Sequence, residues 1–192
     1  MTETVQVKMS LFGNAETGKT SLLTRYISGE YTHNYIQTLG VGFREKQINI
    51  GTQPVTLALW DIGGEAEFQT MIPLSADGAH VILFCFDLSQ PATLAAVKSW
   101  YRQVRAINRE AHAVLVGAKW DLFMSVDEKQ RSETLAMARK YAKTMAAPLV
   151  FVSAEKGVNV NRLFKLCIAK VFGLPLPSEQ CSDETKPIFE FE

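Results

Sequence analysis

Four short apolar runs punctuate the chain: VKMSLF at 7–12, HVILFCF at 80–86, AVLVGA at 113–118 and PLVFVS at 148–153. Each is rich in β-branched or aromatic residues and too short for a helix of its own, the pattern of strands buried on both faces. Between them the spacing turns helical. From Pro91 to Asn108, Leu94, Val97, Tyr101 and Val104 recur every three or four residues, behind a Ser89 cap and an early proline. A second helix is predicted after Ser125, with Glu128 at capping-box spacing. A third carries Val160, Phe164, Cys167, Ile168, Val171 and Phe172 on one stripe and stops at Gly173. One pair breaks the alternation: FREKQINI (43–50) and VTLALW (55–60), around GTQP, read as an antiparallel hairpin. Together these predict an α/β fold, a mostly parallel six-stranded sheet with one antiparallel edge strand and helices on both faces. In such sheets ligands gather at the carboxyl ends of the strands.

Composition narrows this picture. At 192 residues and 47% hydrophobic, the chain can bury one core, so a single domain over 1–174 is expected. The stretch PLPSEQCSDETKPIFEFE (175–192) reads as an extended or disordered acidic tail. Lys plus Arg equals Asp plus Glu, 20 each, so no global charge recruits nucleic acid or an anionic membrane. No run of eighteen apolar residues occurs, and MTETVQVK lacks a signal peptide's apolar stretch. Three cysteines (Cys85, Cys167, Cys181) without metal-ligand spacing point to reduced thiols in an intracellular, soluble, monomeric protein.

The first chemistry lies between the first run and a helical stretch. GNAETGKT, residues 13–20, fits G-x-x-x-x-G-K-[ST]. Gly13, Asn14, Ala15, Glu16, Thr17 and Gly18 would turn backbone N–H groups inward around phosphate oxygens. The helix N-terminus, running into Ser21, adds its positive end. Lys19 would reach the terminal phosphates, and the Thr20 hydroxyl could ligate Mg²⁺.

Two later stretches discriminate among nucleotides. GAKWD ends the run at 113–118 and puts Asp121 at the top of the sheet. A carboxylate accepts two parallel hydrogen bonds, which suits guanine's N1–H and exocyclic amine; adenine offers no such pair. Lys119 could lay its alkyl stem over the base. In VSAEKG (152–157), Ser153, Ala154 and Glu155 follow the next strand, with a backbone N–H near Ala154 for guanine's carbonyl.

The order GNAETGKT, TLGVGF, WDIGG, AKWD, VSAEKG resembles a small Ras-superfamily GTPase over residues 5–173, and with it a P-loop GTPase fold. LWDIGGEAEF, LFCFDLSQPATL, SWYRQVR and AKWDLFM are most similar to its septum-promoting, mitotic-exit branch. The resemblance implies that Thr38 is a switch threonine closing over Mg²⁺, that Asp61 holds the metal through water, and that Gly64 gives its N–H to the γ-phosphate. It implies that Tyr31 packs edge-on against guanine and that Tyr35 is a switch tyrosine. GTP and GDP would be the ligands. An effector protein kinase, a GTPase-activating protein and an exchange factor or scaffold would be the partners. The protein would be cytoplasmic and recruited to the spindle pole or centrosome. The ending FEFE is no prenylation box, so no direct membrane anchor is expected. A metabolic P-loop kinase is the competing class, but no arginine-rich lid is found and Asp121 argues for guanine.

Three positions depart from the family pattern. Ala118 stands where an asparagine usually braces the neighbouring loops, and its loss should weaken affinity. Ala15 puts a methyl near the γ-phosphate, where many relatives carry glycine. Glu65 replaces the glutamine that orients the attacking water. An ionised carboxylate only accepts, and its charge faces an anionic phosphate, so slow hydrolysis is expected. Alternatively Glu65 is a solvated switch residue, or serves as a general base. A nearly non-hydrolysing GTP-binding interaction protein of another Ras- or Rab-like branch is the second reading.

Overall fold

The computed structural model describes residues 4–34, 36–176 and 179–191. In chain order these form β1 (Val5–Phe12), α1 (Lys19–Ser28), β2 (Val41–Ile50), β3 (Gln53–Ile62), a 3₁₀ turn (Ala66–Met71) and α2 (Ile72–Ala76). Then follow β4 (Val81–Asp87), α3 (Pro91–Ile107), β5 (His112–Ala118), the one-turn α4 (Trp120–Phe123) and α5 (Glu128–Met145). The chain closes with β6 (Leu149–Phe151), α6 (Val160–Phe172) and β7 (Phe189–Glu190).

The strands make one sheet in the order β2-β3-β1-β4-β5-β6-β7. Pairings are parallel from β3 through β6 and antiparallel at both edges, β2 on β3 and β7 on β6. Alternation along the strands feeds two separate apolar layers. In β4, Ile82, Phe84 and Phe86 face the layer packed by α2, α3 and α5, whereas Val81, Leu83 and Cys85 face α1 and α6. Every residue of β4 is buried, as expected of a strand covered twice. Polar chemistry is thereby pushed out to the strand ends.

Two predicted caps move. Ser89 does not cap α3: Gln90 holds that place, and Ser89 turns back to Asp87, donating from N at 2.8 Å and from Oγ at 2.6 Å. A buried carboxylate outcompetes the helix end for that hydroxyl. Asp127, not Ser125, caps α5, accepting from Gln130 N at 3.0 Å. The hairpin runs further than GTQP allows, since Ile50 pairs with Gln53 across a two-residue turn. Gly173 ends α6 as predicted, in the left-handed conformation.

The sheet has a seventh strand, supplied by the tail. Glu190 pairs with Leu149 and Phe189 with Val150, and Phe151 N donates to Ile188 O at 2.8 Å. Ile188 and Phe189 are both fully buried, one in each apolar layer. Arg139 of α5 grips Glu184 at 2.7 Å and Glu190 at 2.8 Å, while Arg162 of α6 lies 4.2 Å from the Phe189 ring centre. Phe189→Ala should therefore lower the unfolding free energy by about 3–5 kcal/mol, the range for emptying a buried aromatic site. Urea denaturation reads it; a change under about 0.5 kcal/mol, typical of a surface position, would mean the tail does not pack.

Candidate functional site

The loops at the carboxyl ends of β1, β3, β4, β5 and β6 converge on one face of the molecule. Between β1 and α1 the chain turns at Gly13, with φ 152°, where a Cβ would fall 2.2 Å from the Cys85 carbonyl oxygen. No side chain fits there. Lys19 is buried, and its Nζ donates to the carbonyls of Gly13 and Asn14 at 2.8 Å each. Thr17 Oγ1 donates to the same Asn14 carbonyl at 2.9 Å. The loop is thus closed around the ammonium from within, and Trp100 Nε1 of α3 fixes it from behind, donating to Asn14 Oδ1 at 2.8 Å. Burial pushes the Lys19 pKa down, against the pull of Asp61 and Glu65.

A second cluster gathers three oxygens. Thr20 Oγ1, in the first turn of α1, lies 2.9 Å from Thr38 Oγ1 and donates to Asp61 Oδ2 at the end of β3. Asp61 is 4% exposed, and its Oδ1 is buried with no hydrogen-bond partner among the described residues. Burial drives the Asp61 pKa upward, opposed by the Thr20 hydrogen bond and by the charges of Lys19 and Arg44. A buried acceptor left unpaired is unfavourable, and two hydroxyls beside a carboxylate are the hard-oxygen donors that suit Mg²⁺. The residues present fit such an ion.

Next to this cluster, Gly64 approaches the phosphate loop so closely that a Cβ would sit 2.0 Å from Ala15 N. Glu65 is exposed at the rim, where its carbonyl accepts from Phe68 N at 3.1 Å to open the 3₁₀ turn. Lys19, Thr20, Thr38, Gly64 and Glu65 line a cleft of about 580 Å³ with Ala15, Glu16, Gly18, Ser21, Tyr31 and Lys119.

A smaller pocket of about 70 Å³ shares Gly18, Ser21, Tyr31 and Lys119 with it and adds Asp121, Ala154 and Glu155. Lys119, held at φ 60°, spans both and pairs with Asp87 Oδ2 at 2.7 Å. Asp121 Oδ1 accepts from the Ser153 hydroxyl, which in turn accepts from Lys156 N at 3.0 Å. Ala118 is buried beneath Gly18. Tyr35 lies outside the described residues.

The predicted residues therefore fall into one two-part cleft, with Gly13, Asn14 and Thr17 shaping its floor and Asp61 and Ser153 buried behind Thr20 and Asp121. Two supports escaped the sequence reading. Asp87, 1% exposed, anchors Lys119; its signal was an acid closing an otherwise apolar strand. Trp100 appeared only within SWYRQVR, outside the named α3 stripe, and nothing beside it pointed to the loop it holds.

The profile of the Ras family matches residues 8–173. The septum-promoting GTP-binding protein 1 of Schizosaccharomyces pombe is 41% identical over 187 residues, 97% of this chain and 94% of that protein. The Ras-related protein SEC4 of Saccharomyces cerevisiae is 31% identical over 159 residues, 82% of this chain and 71% of that protein. The GTP-binding protein YPTM1 of Zea mays is 29% identical over 181 residues, 94% of this chain and 84% of that protein.

Lys19→Ala should leave a folded protein that no longer retains a nucleotide through purification, because the loop loses its only buried ammonium among the described residues. Chromatographic analysis of the denatured sample checks this. Nucleotide retained at the level of the unsubstituted chain would contradict it.

Proposed function

This chain belongs to the Ras family of small GTPases, and from that premise we propose a guanine-nucleotide switch that signals through a protein kinase cascade to septation or mitotic exit. As a member of that family it hydrolyses GTP to GDP and phosphate. The observation that carries the switch reading is the meeting of Thr38 with Thr20 and Asp61. Ile36 and Leu39 beside it are 77% and 76% exposed, so among the described residues from 36 to 39 Thr38 is the side chain that ties this loop to the body. A loop held by so few contacts is drawn from the low-stability end of the fold and responds to the ligand beneath it.

In this reading Lys19 binds the terminal phosphates, and Gly64 offers its N–H to the γ-phosphate. Thr20, Thr38 and Asp61 would hold Mg²⁺, which would supply positive charge to offset that of the phosphates. Asp121, its Oδ1 held by Ser153, takes guanine's N1–H and amine, with Tyr31 and Lys119 flanking the base. Ras-like GTPases in general engage effectors, activating proteins and exchange factors. For this chain the proposed effector is a protein kinase, on the strength of the sequence resemblance, and septation as the outcome is in keeping with the name of the septum-promoting relative. Recruitment from the cytoplasm to the spindle pole would run through a protein partner. The docked tail supports this, since Cys181 is drawn into a bridge with Phe189 rather than trailing free. Metabolic labelling of Cys181 with a lipid analogue would overturn the lipid-free part of this reading.

Asp121→Asn should shift preference from GDP towards xanthosine diphosphate, whose 2-carbonyl wants a donor. Competition against a fluorescent nucleotide reads the shift. ATP competing as well as GTP on the unsubstituted chain would sink the guanine assignment.

Glu65 lies at the rim of the cleft, close enough for its charge to act on Lys19. Its negative charge beside the γ-phosphate and its lack of a donor make unassisted hydrolysis slow, and Ala15 crowds the same corner. Glu65→Gln should speed single-turnover hydrolysis. An activating protein's arginine is worth roughly 10³–10⁵ in rate, so assisted turnover should change far less. A nearly non-hydrolysing switch is the second reading, favoured by the same two residues. Ordinary unassisted turnover that falls in Glu65→Gln would make Glu65 a working base and contradict both.

A further inference from the structure

Arg25, in the last turn of α1, plays no part in the chemistry above and is absent from every stretch that pointed to the nucleotide. Its guanidinium nevertheless makes three hydrogen bonds to backbone. Nε donates to the Ala154 carbonyl at 2.5 Å, one terminal nitrogen donates to the Glu155 carbonyl, and the other to the Gly29 carbonyl at 2.5 Å. Its central carbon lies 6.0 Å from the Tyr31 ring centre. One half-buried side chain therefore ties the loop after β6 to the segment that leads from α1 into the first switch loop.

We propose that Arg25 is a positioning residue for base affinity, which holds the 153–155 loop so that its backbone N–H groups meet the 6-oxo edge of the purine. Ala154 lines the small pocket, and no described residue accepts a hydrogen bond from its N–H. Two consecutive carbonyls engaged by one rigid fork leave the intervening peptide little freedom to rotate. The N–H of that peptide, which is Glu155's, is then fixed, and the Ala154 N–H one peptide earlier is steadied with it before any ligand arrives. The same residue meets the need left by Ala118, whose methyl can brace neither loop. Gly29 and Tyr31 bring the flanking wall of the base pocket into the same clamp. Lysine could not do this, since a point charge cannot engage two carbonyls in fixed relative geometry.

The proposal rests on the guanine reading, and the test separates the two. Dissociation of GDP and IDP is followed for the unsubstituted chain, Arg25→Lys and Arg25→Ala, alongside single-turnover hydrolysis of bound GTP. IDP keeps the 6-oxo group and lacks the amine that Asp121 takes. Arg25→Ala should weaken GDP and IDP together by about tenfold, the scale of losing charge-assisted hydrogen bonds. The GDP-to-IDP ratio and the hydrolysis rate should hold within about twofold, and Arg25→Lys should fall between. A role in stability alone would move hydrolysis along with affinity. The proposal is overturned by unchanged dissociation in both variants, by a collapsed GDP-to-IDP ratio, or by hydrolysis that changes in step with affinity. ADP competing as well as GDP on the unsubstituted chain would instead overturn the guanine reading beneath it.

Discussion

A carboxylate held at the buried end of β3 with one oxygen unpartnered constrains everything around it. Asp61 sits between Leu11 of β1 and Gly42 of β2, so sheet register alone fixes where its oxygens lie. An ionised group in such a place is strongly disfavoured unless charge and donors are brought to it. Thr20 supplies a hydroxyl, and Lys19 and Arg44 supply positive charge at longer range. Thr38 completes the set only by drawing an otherwise exposed loop inward. The site is thereby coupled to a loop whose described neighbours Ile36 and Leu39 face solvent, which is the physical basis of the proposed switch.

The apolar layers make this arrangement possible. With strands buried on both faces, the sheet offers polar chemistry only at strand ends, and five carboxyl ends open towards one side. Two of the loops are locked by contacts from behind the cleft: Trp100 on Asn14, and Asp87 on Lys119. Both are buried partners with little freedom to rearrange, so phosphate and base halves are held to one spacing. Glu65 lies outside this locked set, at the rim, where its charge is felt by Lys19 and no ion pair with it is made among the described residues.

Much of the fold and most of the candidate site were legible in the sequence, for a local reason. Doubly buried strands leave compact apolar runs, and a phosphate loop compresses its whole geometry into eight consecutive residues. The features that escaped are those made by distant pairs. Arg25 meets carbonyls 129 and 130 positions away, and Trp100 meets Asn14 86 positions away; neither leaves any local trace. The seventh strand is two residues long inside a proline-bearing acidic segment. Only the burial of Ile188 and Phe189 against layers built elsewhere makes it a strand. Ser125 had the spacing of a cap, but Asp127, closer to the first turn, took the role. Thr38 was a bare turn hydroxyl on its own residues and gained meaning only from the chain-wide order of motifs.

The central claim is that the segment around Thr38 is held by the nucleotide's terminal phosphate through the Thr20–Asp61 cluster. Amide hydrogen exchange over residues 36–40, compared between the GDP form and a non-hydrolysable GTP-analogue form with Mg²⁺, tests it most directly. The account predicts strong protection of this segment in the analogue form, lost in the GDP form and lost equally in Thr38→Ala. Equal exchange in both nucleotide states of the unsubstituted chain would contradict it.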